Sequence, residues 1–374
     1  MPKKSPTDLP ALTLRELNRA TLARQMLLER EPVGALEGVE RLAGMQAQYS
    51  LSPYIGLWTR LDSFEIDHLA KALQNREIVK ASMMRWTLHL ASARDYPYIS
   101  TAITDARLSL WRGFIERSGV NSHELHKKLL NYASEPRTRD EINTFLHRYA
   151  PHMKREDIWY IASAGGWLVH APPSGMWRYF GKNSYIAAHE WLGPIAKPTL
   201  EDAMVHIVRR YLAAFGPATR ADVAAWSGLR RLAWIDAALQ SLGDEVVTFQ
   251  DEAGKTLYDL ASSPRPGGNV PAPVRFLPKW DNLLLSYADR ERVLPARYRK
   301  TVIEKNGDVH PTFLVDGVVA GMWTIKQERK TAILSLESFE PLAPSTRTLL
   351  EEEGIRLAEF IEPDAADYQV KIAA

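Results

Sequence analysis

The chain of 374 residues contains no cysteine. That excludes disulfides, thiolate metal sites, iron–sulfur clusters and a cysteine nucleophile, and it fits a reducing cytoplasm. No run of about 18 apolar residues occurs, so no membrane span is expected. Lys3 and Lys4 look like the start of a secretion signal, but no apolar stretch follows them. There is no Walker A loop and no Gly-x-Gly-x-x-Gly. His123-Glu-Leu-His126 lacks the His-Glu-x-x-His spacing of a zinc protease, and His147 and His152 straddle a proline with no third ligand nearby. Neither a metal nor any other cofactor is expected. An overall charge of one sign is also missing, since the net charge is only +2. The balance is uneven, however. Residues 350–374 hold seven acidic and two basic side chains, which leaves a net of +7 on residues 1–349. A basic body admits a polyanion partner, and a solvated charged surface is the alternative.

With 45% hydrophobic and 25% charged residues, the composition is that of a globular protein. At roughly 150 residues per domain the length points to two or three domains. The clearest periodicity lies at 199–260. Met204, Ile207, Val208, Tyr211, Leu212 and Phe215 share one face of a helix that Gly216-Pro217 stops. Thr219 and Asp222 form a capping box for a short second helix, and Ser227-Gly228 makes a tight turn. Leu232, Ile235, Leu239 and Leu242 mark a third helix, before strand candidates at 246–249 and 257–260. Three helices and a hairpin is the order of a winged helix-turn-helix.

The unit repeats. Pro136-Arg-Thr138-Arg139-Asp-Glu141-Ile142 matches Pro217-Ala-Thr219-Arg220-Ala-Asp222-Val223, 81 residues later. Its next helix is expected at 157–168 and its hairpin at 177–180 and 184–187. A looser third copy opens the chain, with helices over 13–30 and 35–43, another capped by Ser52-Pro53, paired strands at 78–84 and 86–91, and a linking helix over 95–117. Beyond a Pro/Gly-rich linker at 264–273, strand-like runs dominate, and Asp316-Gly317 is a type I′ hairpin signal. The expected fold class is therefore α+β: three winged-helix units (1–118, 119–195, 196–263) followed by a small β-barrel or rolled sheet at 270–374, partly plugged by a helix over 345–361.

Gly44-Met45-Gln46-Ala47-Gln48-Tyr49-Ser50 falls between two helices of the first unit. If the backbone is extended there, Gln46 and Gln48 point the same way. Each carboxamide both donates and accepts, so the pair can hold one water or grip a sugar-phosphate, although neither is a general base near pH 7. Polar loop residues or a helix cap are the alternative reading. Arg85, Thr87 and His89 alternate along the following strand and offer a polar face to nucleic acid or to solvent. Arg209, Arg210, Arg220, Arg230 and Arg231 face a single acid, Asp222, within residues 205–232, and Arg230 and Arg231 open the candidate recognition helix.

Several stretches together resemble the AlkZ/YcaQ-type winged-helix DNA glycosylases. They are Gly44-x-Gln46-Ala47-Gln48, Met84-Arg85-Trp-Thr87-Leu-His89-Leu90, Phe276-Leu-Pro278-Lys-Trp-Asp281 with Tyr287 and Asp289-Arg290, and Val315-Asp-Gly317 through Gly321-Met-Trp323. The resemblance implies tandem winged helices around a DNA-binding cleft. It also implies a monofunctional enzyme that removes N-alkylated purines from double-stranded DNA and can unhook interstrand crosslinks. The chain is expected to be a monomer. The family's Gln-Φ-Gln catalytic motif maps onto Gln46 and Gln48, with Ala47 as the apolar middle residue. Two other readings remain: a non-enzymatic winged-helix regulator that binds DNA, and a protein-interaction scaffold.

Overall fold

The computed structural model describes residues 9–373, so the Lys3-Lys4 stretch lies outside it. Mixed α and β elements build three open sheets. Among the described residues no helix is long and apolar enough to cross a membrane.

The six-stranded sheet carries the site. In spatial order its strands are Met45–Gln46, Leu88–Ser92, Ile78–Ser82, Leu168–Ala171, Ser184–Ala187 and Arg137–Thr138. It thus joins strands from residues 45–92 and 137–187 into one surface. Two stretches differ from the sequence expectation here. The helix expected at 157–168 is Arg155–Ser163, because Gly166 and Trp167 adopt positive φ (75° and 56°) and turn the chain into the Leu168 strand. That strand, and not 177–180, pairs with Ser184–Ala187. Pro172 and Pro173 end it, since neither has an N–H to continue a ladder, and residues 172–183 form a long loop.

Farther on, the helices Leu200–Phe215, Arg220–Ser227 and Leu232–Leu242 precede the antiparallel pair Val246–Asp251 and Thr256–Leu260. Thr219 and Asp222 form the capping box read from the sequence. Ile207, Val208, Tyr211, Leu212, Phe215 and Trp226 are packed in one large core with Tyr96, Ile99 and Ile103 of the helix Tyr96–Ser118.

The C-terminal strands do not close into a barrel. They form an open five-stranded sheet in the order Arg275–Leu277, Thr312–Val315, Val318–Glu328, Thr331–Ser338, Asp367–Ala373. Asp316 and Gly317 both have positive φ (47° and 80°), as a type I′ turn demands. The chain then crosses over through the helix Pro344–Ile361 and returns parallel to Thr331–Ser338 at the far edge. The two edge strands therefore end up on opposite sides of the sheet and make no hydrogen bonds to each other. The helix covers one face instead, packing Leu350, Leu357 and Ile361 onto Phe276, Phe313, Trp323 and Leu336.

Candidate active site

Met45 and Gln46 form a short strand, and Gln48 lies in the bend that follows it. Gly44 has φ +88°, and a Cβ there would lie 2.9 Å from the Leu90 carbonyl oxygen, so only glycine lets the chain come this close to the neighbouring strand. Met45 and Gln46 then pair with Leu90 and His89, and Ala47 N–H donates to Leu88 O at 2.7 Å. Ala47 is buried in a core with Met45, Tyr54, Leu57 and Leu90, a place that suits a small apolar residue.

The far end of the chain clamps this strand. Asn282 donates from Nδ2 to Gly44 O (2.6 Å) and accepts at Oδ1 from Gln46 N–H (3.2 Å). The preceding Asp281 receives both Arg60 Nη atoms at 2.8 Å in a buried pair and caps the Leu283 N–H. Sequence reading singled out Asp281 within a motif but missed Asn282, whose partner lies 236 residues away.

The two amides are not equivalent. Gln46 keeps only 7% of its surface, whereas Gln48 is exposed. Gln46 Oε1 accepts from Arg85 Nη2 at 3.0 Å, and Gln48 Oε1 accepts from Leu88 N–H at 3.2 Å. Both donors require an acceptor, so the oxygens are fixed on these atoms and each amide keeps its NH2 group and one oxygen lone pair for other partners.

The structure changes the expected strand face of Arg85, Thr87 and His89. Arg85 and Trp86 have φ of 50° and 58° and lie in a 3-10 turn, Met84–Trp86, so the strand starts only at Leu88. His89 has no solvent exposure. Its Nδ1–H donates to Thr87 O at 3.0 Å, which leaves Nε2 to accept from Arg85 Nη2 at 3.3 Å. Burial, then the nearby Arg85 charge, pushes the His89 pKa down to about 3, so the ring is neutral near pH 7. Burial brings Arg85 down to about 10, still charged. Arg85 Nη1 also donates to Trp226 O at 2.7 Å, and Gly228 lies so close that a Cβ there would be 3.1 Å from Arg85 Cα. The turn between the helices Arg220–Ser227 and Leu232–Leu242 is therefore seated on the Arg85 turn. Thr87 is half-buried, its Oγ1 donating to Met84 O at 3.2 Å.

Gln48 and Arg85 open onto a cleft of about 460 Å³, which Arg107, Trp111, Arg139, Trp159 and Tyr160 also line. No carboxylate lines it, and none of its three arginines is ion-paired among the described residues. Arg107 keeps only 7% of its surface, and burial lowers its pKa to about 10. Arg139 stacks on Trp159 at 3.8 Å, and Trp111 stacks on Tyr160 at 5.4 Å. Arg107 carried no sequence signal, whereas Arg139 stood inside the repeated capping motif. Of the other basic candidates, Arg220 is paired with Asp236 at 2.7 Å, Arg231 directly precedes the Leu232–Leu242 helix without capping it and lies over Trp234, and Arg230 is exposed. None of these three contacts Gln46 or Gln48.

Residues 39–360 match the family model described as DNA glycosylase AlkZ-like. An interstrand DNA cross-link repair glycosylase of Streptomyces sahachiroi is 24% identical over 327 residues, spanning 81% of this chain and 85% of that protein. The solved structure of Streptomyces sahachiroi DNA glycosylase AlkZ shares the fold, with a TM-score of 0.81 at 21% identity, covering 97% of this chain and 100% of the other. The chain belongs to the AlkZ-like family of DNA glycosylases.

Proposed function

We propose that this glycosylase hydrolyses the N-glycosidic bond of cationic N-alkylated purines in duplex DNA, interstrand crosslinks included, and that it does so as a monomer through Gln46 and Gln48. The reading takes the chain as three tandem winged-helix units, 1–118, 119–195 and 196–263, followed by a C-terminal domain at 270–374. The observation that carries it is the clamped Gln46-Ala47-Gln48 segment, whose outer amide stands at the mouth of a cleft with three guanidiniums free of ion pairs and no carboxylate.

Alkylation at N7 or N3 puts a positive charge on the purine. When the C1′–N bond breaks, its electron pair neutralises the base, so the leaving group needs no acid. The sugar becomes oxocarbenium-like, water adds at C1′, and its surplus proton passes to solvent. Amides supply orientation for that water without abstracting a proton. A site with no carboxylate base favours lesions that are already activated over uncharged bases. The guanidiniums of Arg85, Arg107 and Arg139 suit the phosphodiester backbone, because cations that are buried, as Arg107 is, or half-buried, as Arg85 and Arg139 are, stay costly without a counter-charge until an anion arrives. Arg220, Arg230 and Arg231, together with Thr87, serve as outer DNA contacts, and His89 acts from within by holding Arg85.

The test is base release from duplexes carrying N7-methylguanine, uracil, or a nitrogen-mustard crosslink. Abasic sites are expected from the first and unhooking from the last, with uracil left intact. Release of uracil at the same rate, or no release from any cationic lesion, contradicts the reading.

A further inference from the structure

Phe180 is 67% exposed, the most of any large hydrophobic side chain among the described residues, and it stands against a second exposed ring, Tyr49, at 37%. Their centroids are 5.8 Å apart with the planes 30° from parallel. Tyr49 directly follows Gln48 in the chain, and its carbonyl accepts the Ser52 N–H that begins the next helix.

The exposure of Phe180 is not that of a loose loop. The segment 172–183 is tied down on both sides of the ring. Tyr54 OH donates to Gly175 O at 3.1 Å, and Trp177 packs edge-on against Tyr54 and Phe360. Arg178 donates to Ile361 O and pairs with Glu362, and Tyr179 OH donates to Lys182 O. A loop anchored this firmly, holding a phenyl ring in water against Tyr49, the residue that follows Gln48, forgoes the burial that such a ring gains elsewhere.

We propose that Tyr49 and Phe180 form an aromatic wedge that stacks on the bases beside the damaged nucleotide. The proposal rests on the reading of Gln46 and Gln48 as the catalytic pair, because their position is what puts the rings next to the lesion. Water reaches C1′ of a paired nucleotide only when the helix is opened there, and opening leaves base faces without neighbours. Apolar side chains inserted at such a step fill the gap and hold the distorted duplex. Every base has a π-face, so two rings serve without regard to sequence, as lesion repair requires. Neither ring carries charge, so the wedge acts separately from the guanidiniums in the cleft.

The experiment uses the full chain and a duplex with a tetrahydrofuran abasic analogue flanked by 2-aminopurine, together with excision from N7-methylguanine DNA. Wild type is expected to change the 2-aminopurine fluorescence on binding. Phe180→Ala, and more so the Tyr49→Ala/Phe180→Ala pair, should lose that change and slow excision by roughly tenfold or more, in line with the stacking energy of one or two bases. Phe180→Trp should retain both. The dependence of affinity on salt should be the same in all variants, since no phosphate contact is removed. Because Phe180 is mostly in solvent, its loss leaves the core intact, which a thermal melt verifies. If both alanine variants keep wild-type fluorescence and excision while Gln48→Ala loses excision, the wedge is wrong and the catalytic reading stands. If Gln48→Ala still excises but the fluorescence change needs Phe180, the wedge stands without that reading. A shallower salt dependence in Phe180→Ala would assign the rings to the backbone and overturn base stacking.

Discussion

Arg85 links three groups with one guanidinium: the Gln46 amide, the His89 ring and the Trp226 carbonyl. Arg85→Met removes the donor that fixes Gln46 and strands two buried acceptors. The expected result is a fall in single-turnover excision of roughly 100-fold, with a loss of stability of about 2 kcal/mol and DNA affinity changed far less. Wild-type excision by a folded Arg85→Met protein would show that Gln46 needs no positioning. His89 and His170 are both buried with pKa values driven below the ordinary 6.5, mainly by desolvation. Each is neutral when folded, and the unfolded chain takes up their protons first. Their contribution to stability is complete above about pH 6.5 and shrinks as pH falls toward the folded values. Denaturation measured between pH 6.5 and 5 should approach a slope of about 1.4 kcal/mol per pH unit for each histidine. A flat profile there would mean that the rings are protonated in the folded state.

At the scale of elements, the order of three helices and a hairpin at 199–260 was legible because three helices with one apolar face each follow one another, and Thr219 caps the second. Gln46 and Gln48 were legible as a polar pair around a small apolar residue in a turn between two helices, whereas the short strand Met45–Gln46 that precedes the bend at Gln48 was not. What the sequence hid were features set by backbone strain. Positive φ at Arg85 and Trp86 breaks an otherwise strand-like run, and positive φ at Gly166 and Trp167 shortens a helix. The seating of the 226–228 turn on Arg85 is another such feature, and it is testable. Gly228 has φ +82°, and a Cβ would press on Arg85 Cα and N. Gly228→Ala should therefore destabilise the protein by about 1–3 kcal/mol and slow excision, although residue 228 itself lies outside the site. A variant with lowered stability but undiminished excision at saturating DNA would show that this turn does not support Arg85.

For the whole molecule, the segment that follows the first strand of the C-terminal sheet reaches back to the strand Met45–Gln46 through Asn282, and to Arg60 through Asp281. Barrel closure was misread because strand periodicity shows which residues alternate, not which edge strands meet, and here a helical crossover sends the last strand to the far edge. The Asn282 clamp was hidden for a related reason, since nothing local marks a partner so distant. The buried Arg60–Asp281 pair ties the first hundred residues to the C-terminal third of the chain. Asp281→Asn leaves Arg60 buried without its counter-charge and should cost about 3–5 kcal/mol, read by chemical denaturation. If that variant proves as stable as wild type, the pair is not what holds the C-terminal sheet to the site.

The central claim is that two neutral amides direct water to C1′ of a nucleotide whose base is already set to leave. The most direct test is single-turnover release of N7-methylguanine by wild type, Gln46→Ala and Gln48→Ala, with DNA affinity measured alongside. The account predicts that both variants bind as wild type does and excise at least 100-fold more slowly, about 2.7 kcal/mol of transition-state stabilisation. Excision at the wild-type rate by Gln48→Ala, the amide that faces the cleft, would contradict it.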